Sequence, residues 1–133
     1  MAFRYNFRAN QKKSKYGANK TEIDGIKFDS KKEAWRWTVL RDWESQGKIT
    51  DLQRQVKYVL IPAQREPDTY GPKGGLKKGK LLEHECSYIA DFTYKLAGTD
   101  ELIVEDTKGI RTTDYIIKRK LMLFIHKIRI QEI

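Results

Sequence analysis

Asp91, Asp106 and Lys108 have the types and spacing to gather a divalent cation and a phosphate at one place. Cys86 to Leu96 and Glu101 to Lys108 read as two β-strands, and Ala97-Gly98-Thr99-Asp100 between them reads as a hairpin loop. If that loop closes the hairpin, Leu96 faces Glu101, and counting back along both strands puts Asp91 opposite Asp106 with β-carbons about 5 Å apart. Two carboxylates so placed repel unless something positive lies between them. Magnesium suits the position, because it takes one or two carboxylates and keeps its other places for water and phosphate oxygens; manganese is the expected substitute. Lys108, two residues beyond Asp106, shares its face by the strand period. There it could orient a nucleophile or, as the neutral amine, deprotonate it, and as the ammonium offset transition-state charge. Glu105 turns to the other face of a regular strand, and a bulge or a one-residue slip would exchange it with Asp106.

Residues Ser30 to Gly47 predict a helix opened by the capping box Ser30-Lys31-Lys32-Glu33, with Trp35, Val39, Leu40 and Trp43 as its buried stripe. Glu33 is accounted for by the capping box, yet it also shares a helical face with Trp37 and Leu40 from which it could lean toward a metal. Ile49 to Ile61 alternates like a strand and ends at Pro62. Residues 63–84, rich in glycine, proline and lysine, predict a long loop. A second helix is expected from about Thr113, with Ile117, Leu121, Phe124, Ile125 and Ile128 inward, and a short closing strand within Arg129 to Ile133. The expected order is α-β-β-β-α-β, an α/β fold with a mixed central sheet flanked by helices. The expected division is a basic arm over residues 1–22 and one domain over 23–133.

At 133 residues the chain suffices for one ordinary domain. Of its net charge of +9, Arg4, Arg8, Lys12, Lys13, Lys15 and Lys20 contribute six within the first 20 residues, with no acid among them. A polyanion is the natural partner of such a segment, since lysines that neutralise phosphates release counterions. A solvated, merely solubilising tail is the plain alternative. Arg111 and Lys118 are further candidate phosphate contacts, as are Lys73 to Lys80. The longest apolar run, Leu121 to Ile125, is far too short to span a bilayer, and no apolar run follows the N-terminal basic residues, so a cytoplasmic location is expected. Cys86 is the sole cysteine, and His84 and His126 lack a partner at ligand spacing, which argues against a zinc site. Gly74-Gly75-Leu76-Lys77 lacks the spacing of a phosphate-binding loop, so no nucleotide cofactor is expected.

The segments YIADFTY (88–94) and IVEDTKG (103–109) resemble the signature of the PD-(D/E)XK nucleases. More widely, KYGANKTEIDGIKFDSKKEA, LQRQVKYVLIP and the final helix resemble a phage-associated family of small proteins assigned to that superfamily. The chain is similar, more distantly, to phage Holliday-junction resolvases. The resemblance implies a restriction-endonuclease-like fold, with Asp91 as bridging metal ligand, Asp106 as second acid and Lys108 as catalytic lysine. It further implies Glu33 as a helix-borne ligand, the Thr107 carbonyl as another, and Gln55 as a polar contributor. Two departures stand out: Ala90 replaces the usual proline, and an aspartate replaces the commoner glutamate, leaving Glu105 and Asp106 as neighbouring claimants. The implied activity is magnesium-dependent hydrolysis of DNA, branched or Holliday-junction DNA above all, by a homodimer acting in recombination, inside a bacterial host if phage-encoded. A less selective nickase or nuclease for phage DNA processing is one alternative, and a non-catalytic basic nucleic-acid-binding module another.

Overall fold

The computed structural model describes residues 21–133. Lys12, Lys13, Lys15 and Lys20, and residues 1–20 of the expected arm with them, lie outside the described residues, whereas Thr21 and Glu22 are strand. By compactness the chain divides into a unit ending at Thr38 and a unit beginning at Val39.

In the first unit β1 (Thr21–Ile23) and β2 (Ile26–Phe28) form a hairpin with Thr21 opposite Phe28. Its two-residue turn, Asp24-Gly25, has φ of 53° and 76°. Asp-Gly tolerates two positive φ values in succession, as a turn matching the strand twist demands. Helix α1 (Lys31–Ser45) starts here, where Ser30 Oγ accepts the Glu33 N–H at 3.1 Å. This bond satisfies one of the helix's orphan donors. Glu33, Ala34 and Trp37 are buried and the Phe28 and Trp37 rings lie 6.1 Å apart, whereas Trp35 is 56% exposed. The expected stripe is therefore rotated: Ala34, Trp37 and Leu40, spaced by three, set the inward face, and Trp35 lies outside it.

The second unit continues with β3 (Ile49–Ile61), β4 (Gln64–Arg65), β5 (Thr69–Tyr70), β6 (Leu76–Lys77), β7 (Leu81–Glu83), β8 (Cys86–Leu96) and β9 (Leu102–Asp106), then α2 (Thr113–His126) and β10 (Gln131–Glu132). The main sheet has the order β10-β9-β8-β3, with β10 parallel to β9 and the other neighbours antiparallel. Among the described residues the chain is thus mixed α/β with a central mixed sheet and two helices, and the predicted bounds of β3 and β8 hold. The predicted loop over residues 63–84 does not. It is folded into β4 paired with β7 and β5 paired with β6. Glycines and prolines there mark the turns and breaks of a ribbon rather than an unstructured connection.

Helix α2 is capped by Thr112, whose side chain accepts from the Tyr115 N–H at 3.4 Å, and ends at Lys127 with φ 59°. Its inward residues are Tyr115 and Met122, packed with Leu60, Tyr88, Ala90, Val104 and Ile130. Leu121 and Ile128 are partly buried against this cluster as expected, but Ile117 is 53%, Phe124 75% and Ile125 40% exposed. The run Leu121 to Ile125 is apolar at every position, so periodicity alone assigns it no phase. Among the described residues no helix is long and apolar enough to cross a membrane.

Candidate active site

The β8–β9 hairpin has the predicted register. Lys95 pairs with Leu102, Tyr94 with Ile103, Thr93 with Val104 and Phe92 with Glu105. The loop closes with Leu96 N–H donating to the Glu101 carbonyl at 3.0 Å and Asp100 N–H donating to the Leu96 carbonyl at 3.1 Å. The regular pairs end at Phe92 and Glu105, and Asp91 and Asp106 are the next residues on the two strands.

The regular two-residue alternation breaks at this point. Neighbours on β9, Glu105 and Asp106 face opposite ways: Tyr94 Oη donates to Glu105 Oε1 at 2.5 Å, and Tyr88 Oη donates to Asp106 Oδ2 at 2.6 Å. Tyr88 and Tyr94, both even-numbered on β8, therefore serve opposite faces, and the strand changes hand between Ala90 and Phe92. On β3 the pairs jump from Arg54 opposite Phe92 to Val56 opposite Ala90, and Gln55 between them has φ 53°. Gln55 is thus left-handed where the faces exchange, while the pairs on either side of it keep one register. Gln55, a predicted polar contributor, is exposed and sits across the strand pair from Asp91.

The two carboxylates are held differently. Asp91 Oδ2 accepts both the Thr107 N–H and the Thr107 Oγ1 hydroxyl, each at 2.8 Å. Asp106 is 1% exposed, and its Oδ1 is buried without a hydrogen bond. Burial pushes the Asp106 carboxyl above its ordinary value; the Tyr88 hydroxyl opposes this, and the charge of Asp91 adds to it. Burial likewise raises the Tyr88 phenol, reinforced by its bond to Asp106.

Lys108 lies beyond the end of β9, so strand periodicity is not what positions it. The chain leaves the strand at Thr107, which is fastened to Asp91. Lys108 Nζ then stands 4.0 Å from Asp106 Oδ1 and 5.3 Å from the Tyr115 ring centre, with its side chain 41% exposed. A cleft of about 280 Å³ opens here, lined by Tyr88, Lys108, Thr112, Asp114, Tyr115 and Lys118. Lys118 thus shares the cleft of Lys108. Arg111 instead pairs with Glu132, its Nε 2.5 Å from Oε2, and lines a separate cavity. Glu33 is 5% exposed and its described bond is the helix cap.

Magnesium fits the donor set in part. Among the described residues no three His, Cys, Asp or Glu side chains come together as a metal-holding group. Two carboxylates are nevertheless what this ion commonly takes from a protein, and Asp106 Oδ1 is a desolvated anionic oxygen lacking a donor. Such an atom is costly unless a cation or donor meets it. Sequence reasoning missed Tyr88 and the Thr107 side chain. Tyr88 stands three residues before Asp91, which regular alternation assigns to the opposite face; the exchange of faces, invisible in the sequence, turns it toward Asp106.

Comparison with known families bears on the whole of this arrangement. The family described as "Protein of unknown function (DUF1064)" matches residues 13–131. The chain belongs to that family. In this DUF1064 member the match spans both units and takes in Asp91, Asp106, Thr107 and Lys108. No curated protein and no solved structure matches the chain.

Proposed function

We propose that this DUF1064 protein is a divalent-cation-dependent endodeoxyribonuclease of the PD-(D/E)XK type, with Asp91, Asp106 and Lys108 as its reacting centre and branched DNA as its substrate. The observation that carries the proposal is the buried, donorless Oδ1 of Asp106, with Asp91 across the hairpin and the Lys108 ammonium 4.0 Å away. The preference for branched DNA rests on the likeness to junction resolvases. So does the homodimer, since two cuts across a junction need two centres related by symmetry.

The Asp91 carboxylate, Asp106 Oδ1 and the Thr107 carbonyl would hold the cation, magnesium or manganese. When bound, such an ion neutralises the scissile phosphate and makes water a stronger nucleophile. The chain's own residues supply order and charge. Thr107 fixes Asp91 with two hydrogen bonds, and Tyr88 fixes Asp106 with one, so neither carboxylate need reorganise as substrate arrives. Lys108, half-exposed at the cleft, meets the phosphate and orients the attacking water, and Lys118 adds a second positive charge there. In hydrolysis the water oxygen bonds to phosphorus, the P–O3′ bond breaks, and the proton lost by water ends on the departing 3′ oxygen. The products are a 5′ phosphate and a 3′ hydroxyl.

Incubation of the purified protein with a labelled four-way junction and magnesium tests the proposal. Asp106→Ala and Lys108→Ala should each remove cutting while DNA binding persists. Undiminished cutting by both variants would refute the assignment, and equal cutting of linear duplex would refute the preference for branches.

A further inference from the structure

We infer that the ribbon formed by β4, β5, β6 and β7 is a second DNA-contacting element, which lays its distal, lysine-rich half along a duplex arm beyond the active site. This inference deepens the nuclease proposal by naming how a long substrate is held, although it concerns binding and not the chemistry.

The ribbon prolongs the β3–β8 pair. After Ile61 opposite Cys86 come Gln64 opposite Glu83, Arg65 opposite Leu81, Thr69 opposite Lys77 and Tyr70 opposite Leu76. Gly71 N–H donating to the Gly75 carbonyl at 2.8 Å closes the tip. Midway the two strands approach so closely that a Cβ on Gly79 would be driven into the Glu66 backbone carbonyl. Arg65 Nη1 donates to the Gly79 carbonyl at 3.1 Å, and Asp68 Oδ1 accepts the Gly79 N–H at 2.8 Å. The ribbon is therefore a built element with its own fastening.

Its tip is basic. Lys73 and Lys77 lie toward the tip with no acid beyond Asp68, Lys78 and Lys80 flank Gly79 level with Asp68 and Glu66 on the other strand, and Glu83 and Glu85 lie nearer the sheet, where Glu85 pairs with Lys57. Residues 69–80 carry Lys73, Lys77, Lys78 and Lys80 and no acid. All four lysines are exposed, and among the described residues none forms an ion pair. Packing does not require four unpaired cations on so narrow an element, and their mutual repulsion opposes it. Backbone phosphates offset that repulsion and release counterions when they are met. A two-stranded ribbon has the width that the major groove of DNA admits. Tyr70, 77% exposed, and its cross-strand partner Leu76, 66% exposed, give the same tip an apolar pair suited to sugar and base edges. At about 3.3 Å per residue the chain from Asp91 to Lys73 spans at most about 60 Å, a reach that can accommodate one turn of B-DNA, roughly 34–36 Å.

The test is a binding titration of the full-length protein in EDTA, read by fluorescence anisotropy. The probes are a labelled duplex of about three helical turns (~30 bp) and one of under one turn (~8 bp). Lys73→Gln, Lys77→Gln, Lys78→Gln and Lys80→Gln, combined, should weaken binding of the long duplex at least tenfold. The slope of log affinity against log salt should shrink by about 2–4, at roughly 0.9 per phosphate contact. The short duplex should bind the two proteins alike. Gly79→Ala, which misplaces the strands without touching charge, should lower long-duplex affinity in the same direction. Unchanged affinity and slope in the quadruple variant would overturn the inference. The two proposals fail separately: ribbon-dependent binding by a protein that never cuts DNA refutes the nuclease alone, and full cutting with ribbon-independent binding refutes the ribbon alone.

Discussion

Replacing Asp106 with asparagine removes a charge while keeping the shape, and its effect on stability should reverse sign with magnesium. In the metal-free protein the carboxylate is 1% exposed, one oxygen is bonded to Tyr88 and the other has no donor. Lys108 offsets part of this charge at 4.0 Å, but its side chain is 41% exposed, so solvent screens the attraction. Burying a charge costs several kcal/mol even after relaxation, and the substitution relieves that cost while an asparagine amide lacking an acceptor costs about 1–3 kcal/mol. The net expectation without metal is a gain of about 1 kcal/mol, or roughly 3–6 °C in Tm for a domain of this size. Magnesium at about a hundred times its Kd should stabilise the wild type by roughly 2.7 kcal/mol and Asp106→Asn hardly at all. Thermal unfolding in EDTA and in magnesium measures both. The order of Tm values should invert between the two buffers. Equal stabilisation of both proteins by magnesium, or a clear loss of stability by the variant in EDTA, would refute the reasoning about Oδ1.

Two further predictions concern the groups around this carboxylate. Tyr88→Phe deletes its described hydrogen bond and should cost about 1.5–3 kcal/mol near neutral pH, as bonds to charged groups do, with a smaller loss in acid where Asp106 is protonated; urea unfolding at two pH values checks this. The pH dependence has two opposed parts. Because burial raises Asp106, its contribution favours the metal-free fold below the unfolded value of 3.8 and is lost as pH rises through the folded value. Glu132 is lowered, chiefly by its hydrogen bond from Arg119 and also by Arg111 and Tyr115, so its contribution is present above 4.5 and lost as pH falls through the folded value. Glu132→Gln should therefore flatten the acid side of the stability curve and Asp106→Asn the other side, both measurable by unfolding across a pH series.

The register of the central hairpin was legible because its loop leaves little choice: Gly98 and Asp100 supply positive φ values of 88° and 55°, and the pairs next to it run without a shift from Lys95–Leu102 to Phe92–Glu105. Numbering alone thus made Asp91 and Asp106 the residues that follow Phe92 and Glu105, the last regular pair. What lay beyond reach depends on backbone irregularity and tertiary choice. The exchange of faces beside Gln55, at φ 53°, redirects Tyr88, and β9 ending at Asp106 moves Lys108 off the strand. Helix phases failed for a different reason. Where every position is apolar, as from Leu121 to Ile125, or where tryptophans fall on several faces, as at Trp35, Trp37 and Trp43, only the packing partner decides what turns inward. The ribbon was hidden because its strands are two or three residues long and its glycines read as loop.

The central claim is that Asp91 and Asp106 share one divalent cation. Crystals grown with manganese, with anomalous differences measured at its absorption edge, test it most directly. The account predicts a peak at roughly 2.0–2.3 Å from Asp106 Oδ1, with an Asp91 oxygen also in its coordination shell. A well-ordered site with both carboxylates in place and no peak between them, at manganese concentrations that support DNA cleavage, would contradict it.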